Sequence, residues 1–377
     1  MKFQLLDIIP YRADPITGRQ VSSAERLEQT LEAAVRAEEL GFDAVAVGER
    51  HAGPFLSSSP TVVLGAIAAR TSRVRLNSGV TVLPVLDPVR VAEDYATIDQ
   101  LSKGRLELTI GKGNEVAQFP LFGYEIDDQW ELLAEKYEVL RALWDSEGVD
   151  WPGGEFTRPL FDVTTLPRPY AGAPRVWHGS ATTLFSAALA ARWGDPLFSA
   201  NALQPLENYG VLIDHYRSEY ARHGHEPGRD YVAAGAGALF IADTTQEAIR
   251  QYGPVYDAIV AATNVPGNNT LYRDIHHAVA EGPVLVGTPQ QVIDKIGTFH
   301  ARFGHSLQSV SLPTTVPFEQ QLEILERFAV EVAPVLRREL PTTLWSEDDR
   351  GDRGGRADRG AAGVAAGVGA AREVVSA

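Results

Sequence analysis

Apolar positions along this chain alternate between two spacings, short β-like runs and longer stretches with helical periodicity. Phe3 to Ile9 is a short β run, followed by a polar loop from Arg12 to Val21. Ser22-Ser-Ala-Glu25 reads as a capping box, and Leu27, Leu31, Ala34, Val35 and Leu40 then share one helical face up to Gly41. Ala44 to Val47 is a buried strand, and Pro60 starts a helix through Arg70. Val74 to Val82 is a third strand, followed by a helix from Pro88 to Leu101. Leu106, Leu108 and Ile110 mark the fourth strand, and Asp127 to Trp144 is strongly helical.

Alternation resumes after a stretch rich in Pro, Gly and aromatics, with Arg175 to His178 as the fifth strand and a helix from about Thr182 to Trp193. Asp195 to Phe198 is the sixth strand, Gln204 to His223 a helix, and Tyr231 to Ile241 a seventh strand. Gln246 to Glu281 is helical but irregular. Val286-Gly-Thr-Pro289 reads as the cap of a helix from Gln290 to Phe303, and Ser309 to Leu312 as the eighth strand before a closing helix, Phe318 to Leu340. Eight β runs, each followed by a helix, predict an α/β fold, a closed (β/α)8 TIM barrel over residues 1–345. The stretch at 146–174 is an insertion after the fourth helix, since its aromatics need a surface to pack on. The Asp/Arg/Gly/Ala-rich tail at 346–377 has no aromatics and no periodic face, which predicts disorder.

Composition narrows the function. A length of 377 residues suits one large barrel, and a net charge of −15 disfavours nucleic acid or an anionic membrane as the main partner. Cysteine is absent, which removes thiol chemistry and suits a reducing, cytoplasmic setting. No apolar run reaches transmembrane length. His276-His277 has no third ligand in view, so no metal site is expected.

Candidate chemistry falls at the C-terminal ends of the predicted strands, where such barrels bind ligands. Gly111-Lys-Gly113, followed by Asn114, puts a cation between two glycines. It is either an ordinary turn with a solvated lysine or half of an anion site. Glu49, Arg50 and His51 follow the second strand; they form either a surface loop with a Glu49–Arg50 pair or a polar reaction pocket. Gly79 within a β-branched run marks a bulge, a close approach, or a plain strand end before Pro84. His178, Gly179, Ser180, Ala181, Thr182 and Thr183 join the fifth strand to its helix; they offer hydroxyls and free N–H groups for a phosphate, or simply cap the helix.

Together these segments resemble the bacterial luciferase family of flavin-dependent monooxygenases. The matching pieces are Met1-Lys-Phe3, Glu39-Leu-Gly-Phe-Asp43, Glu49-Arg-His51, Gly79 to Pro84, Pro88 to Asp94, Ser102 to Leu106 with Gly111-Lys-Gly113, and Val286-Gly-Thr-Pro289. The resemblance covers Met1 to Leu340 in the family's order and spacing. It implies a barrel that binds reduced FMN, delivered by a separate NAD(P)H:flavin reductase, and uses O2 to oxygenate a small organic substrate. It also implies a homodimer.

The resemblance puts the phosphate-binding arginine of the family on Lys112 and its phosphate loop on residues 179–183. It puts a non-proline cis peptide beneath the flavin on Gly79–Val80. Glu49 and His51 are expected to line the reaction pocket, and Arg50 is a candidate to bind an anionic group of the substrate. The luciferases themselves carry two histidines after the acidic residue; here the first falls on Arg50, and Asp87 stands where the family often has histidine. Both differences weigh against aldehyde oxidation and light emission. Two other readings share the barrel: a deazaflavin-dependent oxidoreductase and a non-catalytic FMN-binding protein. A Schiff-base aldolase lacks a lysine within any predicted strand.

Overall fold

The computed structural model describes residues 1–14, 16–235, 237–263, 271–346 and 349. Eight parallel strands close into a barrel: β1 (Lys2–Asp7), β2 (Ala44–Val47), β3 (Arg75–Val82), β4 (Leu106–Gly111), β7 (Arg175–Ser180), β8 (Leu197–Ser199), β9 (Val232–Ala234) and β12 (Leu307–Val310). They neighbour one another in chain order, with β12 pairing back onto β1 from Lys2↔Leu307 to Leu5↔Val310. The fold is therefore the (β/α)8 TIM barrel.

Helix starts follow local chemistry. The Ser22 hydroxyl accepts from the Glu25 amide, half of the expected box. The Asp87 carboxylate accepts from Val89 and Arg90 N–H, with Pro88 at the first helical position, and Thr288 and Gln291 form a complete capping box.

The insertion is a two-stranded antiparallel hairpin, β5 (Val149–Trp151) and β6 (Leu160–Val163). Glu135 of the helix Gln129–Asp145 anchors it by accepting from Glu155 N, Phe156 N and the Thr157 hydroxyl.

Two sequence expectations need correction. The run Tyr231 to Ile241 is not one strand: β9 ends at Ala234, and β10 (Leu239–Ile241) leaves the barrel. It pairs in parallel with β11 (Leu285–Gly287), in a segment read only as a helix cap. The physical reason is that Gly235 and Gly237 interrupt the apolar run, where glycine weakens a strand.

The barrel interior is layered. Trp177, Phe198, Tyr231, Ala233 and Leu307 fill its N-terminal end together with Leu344. Above them Gln4, Asn77, Thr109 and Ser309 bond side chain to side chain, a fully buried polar layer. The chain's C-terminal segment seals the N-terminal end. Trp345 donates its indole N–H to Glu107 at 2.6 Å, and Asp349 accepts from Arg175 at 2.7 Å and Arg229 at 3.0 Å. Of the tail expected to be disordered, Ser346 and Asp349 are thus held against the barrel. The rest of 346–377 lies outside the described residues. Among the described residues no helix is long and apolar enough to cross a membrane.

Candidate active site

Three rim loops meet around the segment that follows β2. Glu49 is buried there, and its two oxygens divide the work: Oε1 lies 2.7 Å from His51 Nε2, and Oε2 accepts from the Val82 amide at 2.8 Å. One carboxylate thereby ties the β2 loop to the end of β3. The His51 ring also meets Phe122 edge to face, 4.8 Å between centroids.

Arg50 turns the other way. Its guanidinium pairs with Glu115 at 2.5 Å and lies 4.8 Å over the Phe55 ring. Burial lowers its pKa, and the Glu115 charge opposes that. The pair Glu49–Arg50 does not form. With its charge met by Glu115, Arg50 is a link between rim loops rather than a free anion receptor.

The Gly79–Val80 peptide is cis, as the resemblance implies. Register against β4 slips between Gly79 and Thr81, so Val80 is an extra residue bulged into the mouth. Its side chain sits between two glycines of neighbouring strands. A Cβ on Gly111 would stand 3.2 Å from Val80 Cγ2, and one on Gly179 2.8 Å from Val80 Cγ1. Glycine at those positions is what allows the bulge.

Lys112 follows β4, half-buried, with no carboxylate at ion-pair distance among the described residues. Burial lowers its pKa. Its Nζ lies 5.6 Å from the Trp130 ring centre, and Trp130 packs against Phe185 at 5.3 Å. Phe185 belongs to the first turn of the helix Leu184–Trp193, so the Trp130 ring stands between Lys112 and the start of that helix. Thr183 occupies the cap position but its side chain makes no capping bond, leaving the first amides open; Ala181 and Thr182 are exposed. Gly113 takes a left-handed φ of 73°, and Asn114 is exposed on the same loop.

His178 and Ser180 are placed differently from expectation. β7 runs on to Ser180, and strand alternation sends Trp177 inward and His178 outward to the helices. His178 is buried there, Nε2 3.3 Å from Asp195 and its ring edge-on to Tyr137. Its side chain does not reach the mouth. The Ser180 hydroxyl donates to the Thr183 carbonyl at 2.9 Å, shaping the loop. Sequence reading missed Trp130, Glu115 and the Val82 amide. Trp130 carried a usable signal, an aromatic at the start of a helix next to the Lys112 loop; Glu115 and Val82 carried none.

The chain belongs to the luciferase-like monooxygenase family, whose sequence model matches residues 1–306. It is 26% identical to limonene 1,2-monooxygenase of Rhodococcus erythropolis, over 74% of this chain and 73% of that protein. With an F420-dependent glucose-6-phosphate dehydrogenase of Segniliparus rotundus it shares 28% identity, over 86% of this chain and 98% of the relative. It spans 59% of the length of protein y4vJ of Sinorhizobium fredii, at 29% identity over 55% of this chain. Among solved structures, the monooxygenase RslO1 from Streptomyces bottropensis superposes with a TM-score of 0.77 and 29% identity, covering 89% of this chain and 99% of that one.

Proposed function

We propose that this chain is the oxygenase component of a flavin-dependent system, taking reduced FMN from a separate reductase and using O2 to oxygenate a small organic substrate. The observation that carries the reading is Lys112, a half-buried cation without a carboxylate partner among the described residues, which shares the Trp130 ring with the first turn of a helix whose cap side chain makes no bond. A phosphate is the group both features recognise. Thr182 and Thr183 add hydroxyls, and each hydrogen bond to a charged phosphate contributes roughly 1.5–3 kcal/mol. Lysine keeps the charge but lacks the forked geometry of arginine, which gives the helix amides a larger share of the grip.

Bound reduced flavin supplies the electrons that activate oxygen. The protein's part is positioning. Gly79 and the bulged Val80 form the ledge for the ring system, with Gly111 and Gly179 keeping the neighbouring strands low. Glu49 fixes His51: with Nε2–H donated to the carboxylate, Nδ1 is the nitrogen left to hold or accept a proton at the mouth. Arg50 and Glu115 join the rim loops that bound the substrate space.

A second reading, hydride transfer with a deazaflavin, is favoured by the F420-dependent relative. An oxygen electrode separates the two. Reduced FMN with candidate hydrocarbon or ketone substrates is expected to show substrate-dependent oxygen uptake with oxygenated product. Turnover with reduced F420 and no oxygen uptake would replace this reading with the second.

A further inference from the structure

Outside the barrel ring, beyond the C-terminal end of β8, lies a cavity of about 380 Å³ that the proposed flavin site does not use. Its walls come from Asn201, the start of the helix Leu206–Arg222, the helix Ile275–Glu281, β11 and the helix Pro289–Phe303. Leu197 packs with the surrounding helices and Phe198 with the barrel interior, so alternation carries Ser199 and Asn201 to the outer face. None of Lys112, Glu49, His51 or the 179–183 loop borders this space.

Two polar groups in it are incompletely matched. Asn201 is fully buried, yet among the described residues neither its Oδ1 nor its Nδ2 has a hydrogen-bond partner. A buried amide left without partners is costly and points to something that occupies the space beside it. Lys295 donates to the Val279 carbonyl at 2.7 Å and the Gly282 carbonyl at 3.0 Å, which leaves one of its three protons. No carboxylate neutralises it among the described residues. The cavity's own acids are turned to other partners: Glu281 to His277 at 3.4 Å, Asp294 to the Gln290 amide at 2.8 Å. Burial pulls the Lys295 pKa down to about 8, so the group is still mainly an ammonium at neutral pH. Leu206, Val284 and Phe299 give the lining an apolar part, beside Gln291 and Thr298.

We propose that this cavity is a second ligand site, taking an organic carboxylate with an apolar body. The carboxylate accepts from Lys295 Nζ and Asn201 Nδ2, and Asn201 Oδ1 stays open to a water or a ligand hydroxyl. The chain lies against Leu206, Val284 and Phe299. The inference stands apart from the flavin reading, since no residue is shared.

Isothermal titration of the full-length protein at neutral pH with decanoate and with 1-decanol tests it. One decanoate per chain is expected, with 1-decanol at least tenfold weaker. Lys295→Met should weaken decanoate at least tenfold, Lys295→Arg should retain most of the binding, and Asn201→Leu should weaken it several-fold. Lys112→Met, at the barrel mouth, should leave it unchanged. Unchanged melting temperature in each variant guards against misfolding. Equal binding of decanoate and decanol, no binding of decanoate at millimolar concentration, insensitivity to Lys295→Met, or loss with Lys112→Met would each overturn the proposal.

Discussion

Lys112 and Glu49 show how single side chains define the mouth of this barrel. Lys112 is a base whose burial lowers its pKa from the ordinary 10.5 without a carboxylate to restore it. In the proposed site the protonated form binds phosphate, so the sign is fixed: FMN affinity is expected to stay level near neutrality and to fall as pH rises through the lowered pKa. Binding raises that pKa again, because the phosphate stabilises the ammonium, so the complex keeps its proton to higher pH than the free protein. Fluorescence titrations between about pH 7 and 10 check this, with Lys112→Arg expected to abolish the alkaline loss. A cation between two glycines was legible as an anion-site candidate. Arg50 was not legible in the same way, because its partner Glu115 is 65 residues distant and nothing local signals the pair.

At the scale of elements, β3, β4 and β7 act as one unit built around Val80. Gly179→Ala puts a methyl 2.8 Å from Val80 Cγ1 and 3.3 Å from the Ile110 carbonyl. Crowding of this kind costs about 1–3 kcal/mol, and flavin affinity should fall with it. Gly65, within the helix Pro60–Arg70, has open space where a Cβ would go. Gly65→Ala is expected to stabilise by roughly 0.5–1 kcal/mol. Denaturant titrations of the two variants should therefore move in opposite directions. Elements with a local start signal were readable to within a residue or two: Pro60 and Asp87-Pro88 are examples. The end of β7 was not. The sequence ends the fifth strand at His178 and counts that residue in the phosphate segment, whereas the strand runs through Gly179 to Ser180 and turns His178 away from the mouth. The departure of β10 from the barrel had a signal in Gly235 and Gly237, but its pairing with β11 depends on residues 44 or more positions away and had none.

The whole molecule is closed at its base by its own C-terminal segment. Trp345 bonds Glu107, its ring carries the Arg75 guanidinium 5.0 Å above it, and Leu344 is fully buried beside Trp177. Trp345→Ala removes that packing and takes a hydrogen bond from the buried Glu107, a cost of about 2–3 kcal/mol. Thermal unfolding should register it, while the proposed flavin site at the opposite end should keep its affinity. Composition puts Asp349 in a solvated tail, and only the fold shows it bonded to Arg175 and Arg229. The eight-fold alternation made the architecture legible, and the ordered motifs made the family legible. What joins the distant loops at the mouth was set by tertiary packing and was not.

The central claim is that Lys112 and the open amides of the helix Leu184–Trp193 grip a phosphorylated flavin. Anaerobic titration of the native protein and Lys112→Ala with reduced FMN tests it most directly, with circular dichroism as the control for folding. The account predicts saturable binding by the native protein and at least several-fold weaker binding by the variant, whose fold is unchanged. Equal affinity of the two proteins for reduced FMN would contradict it.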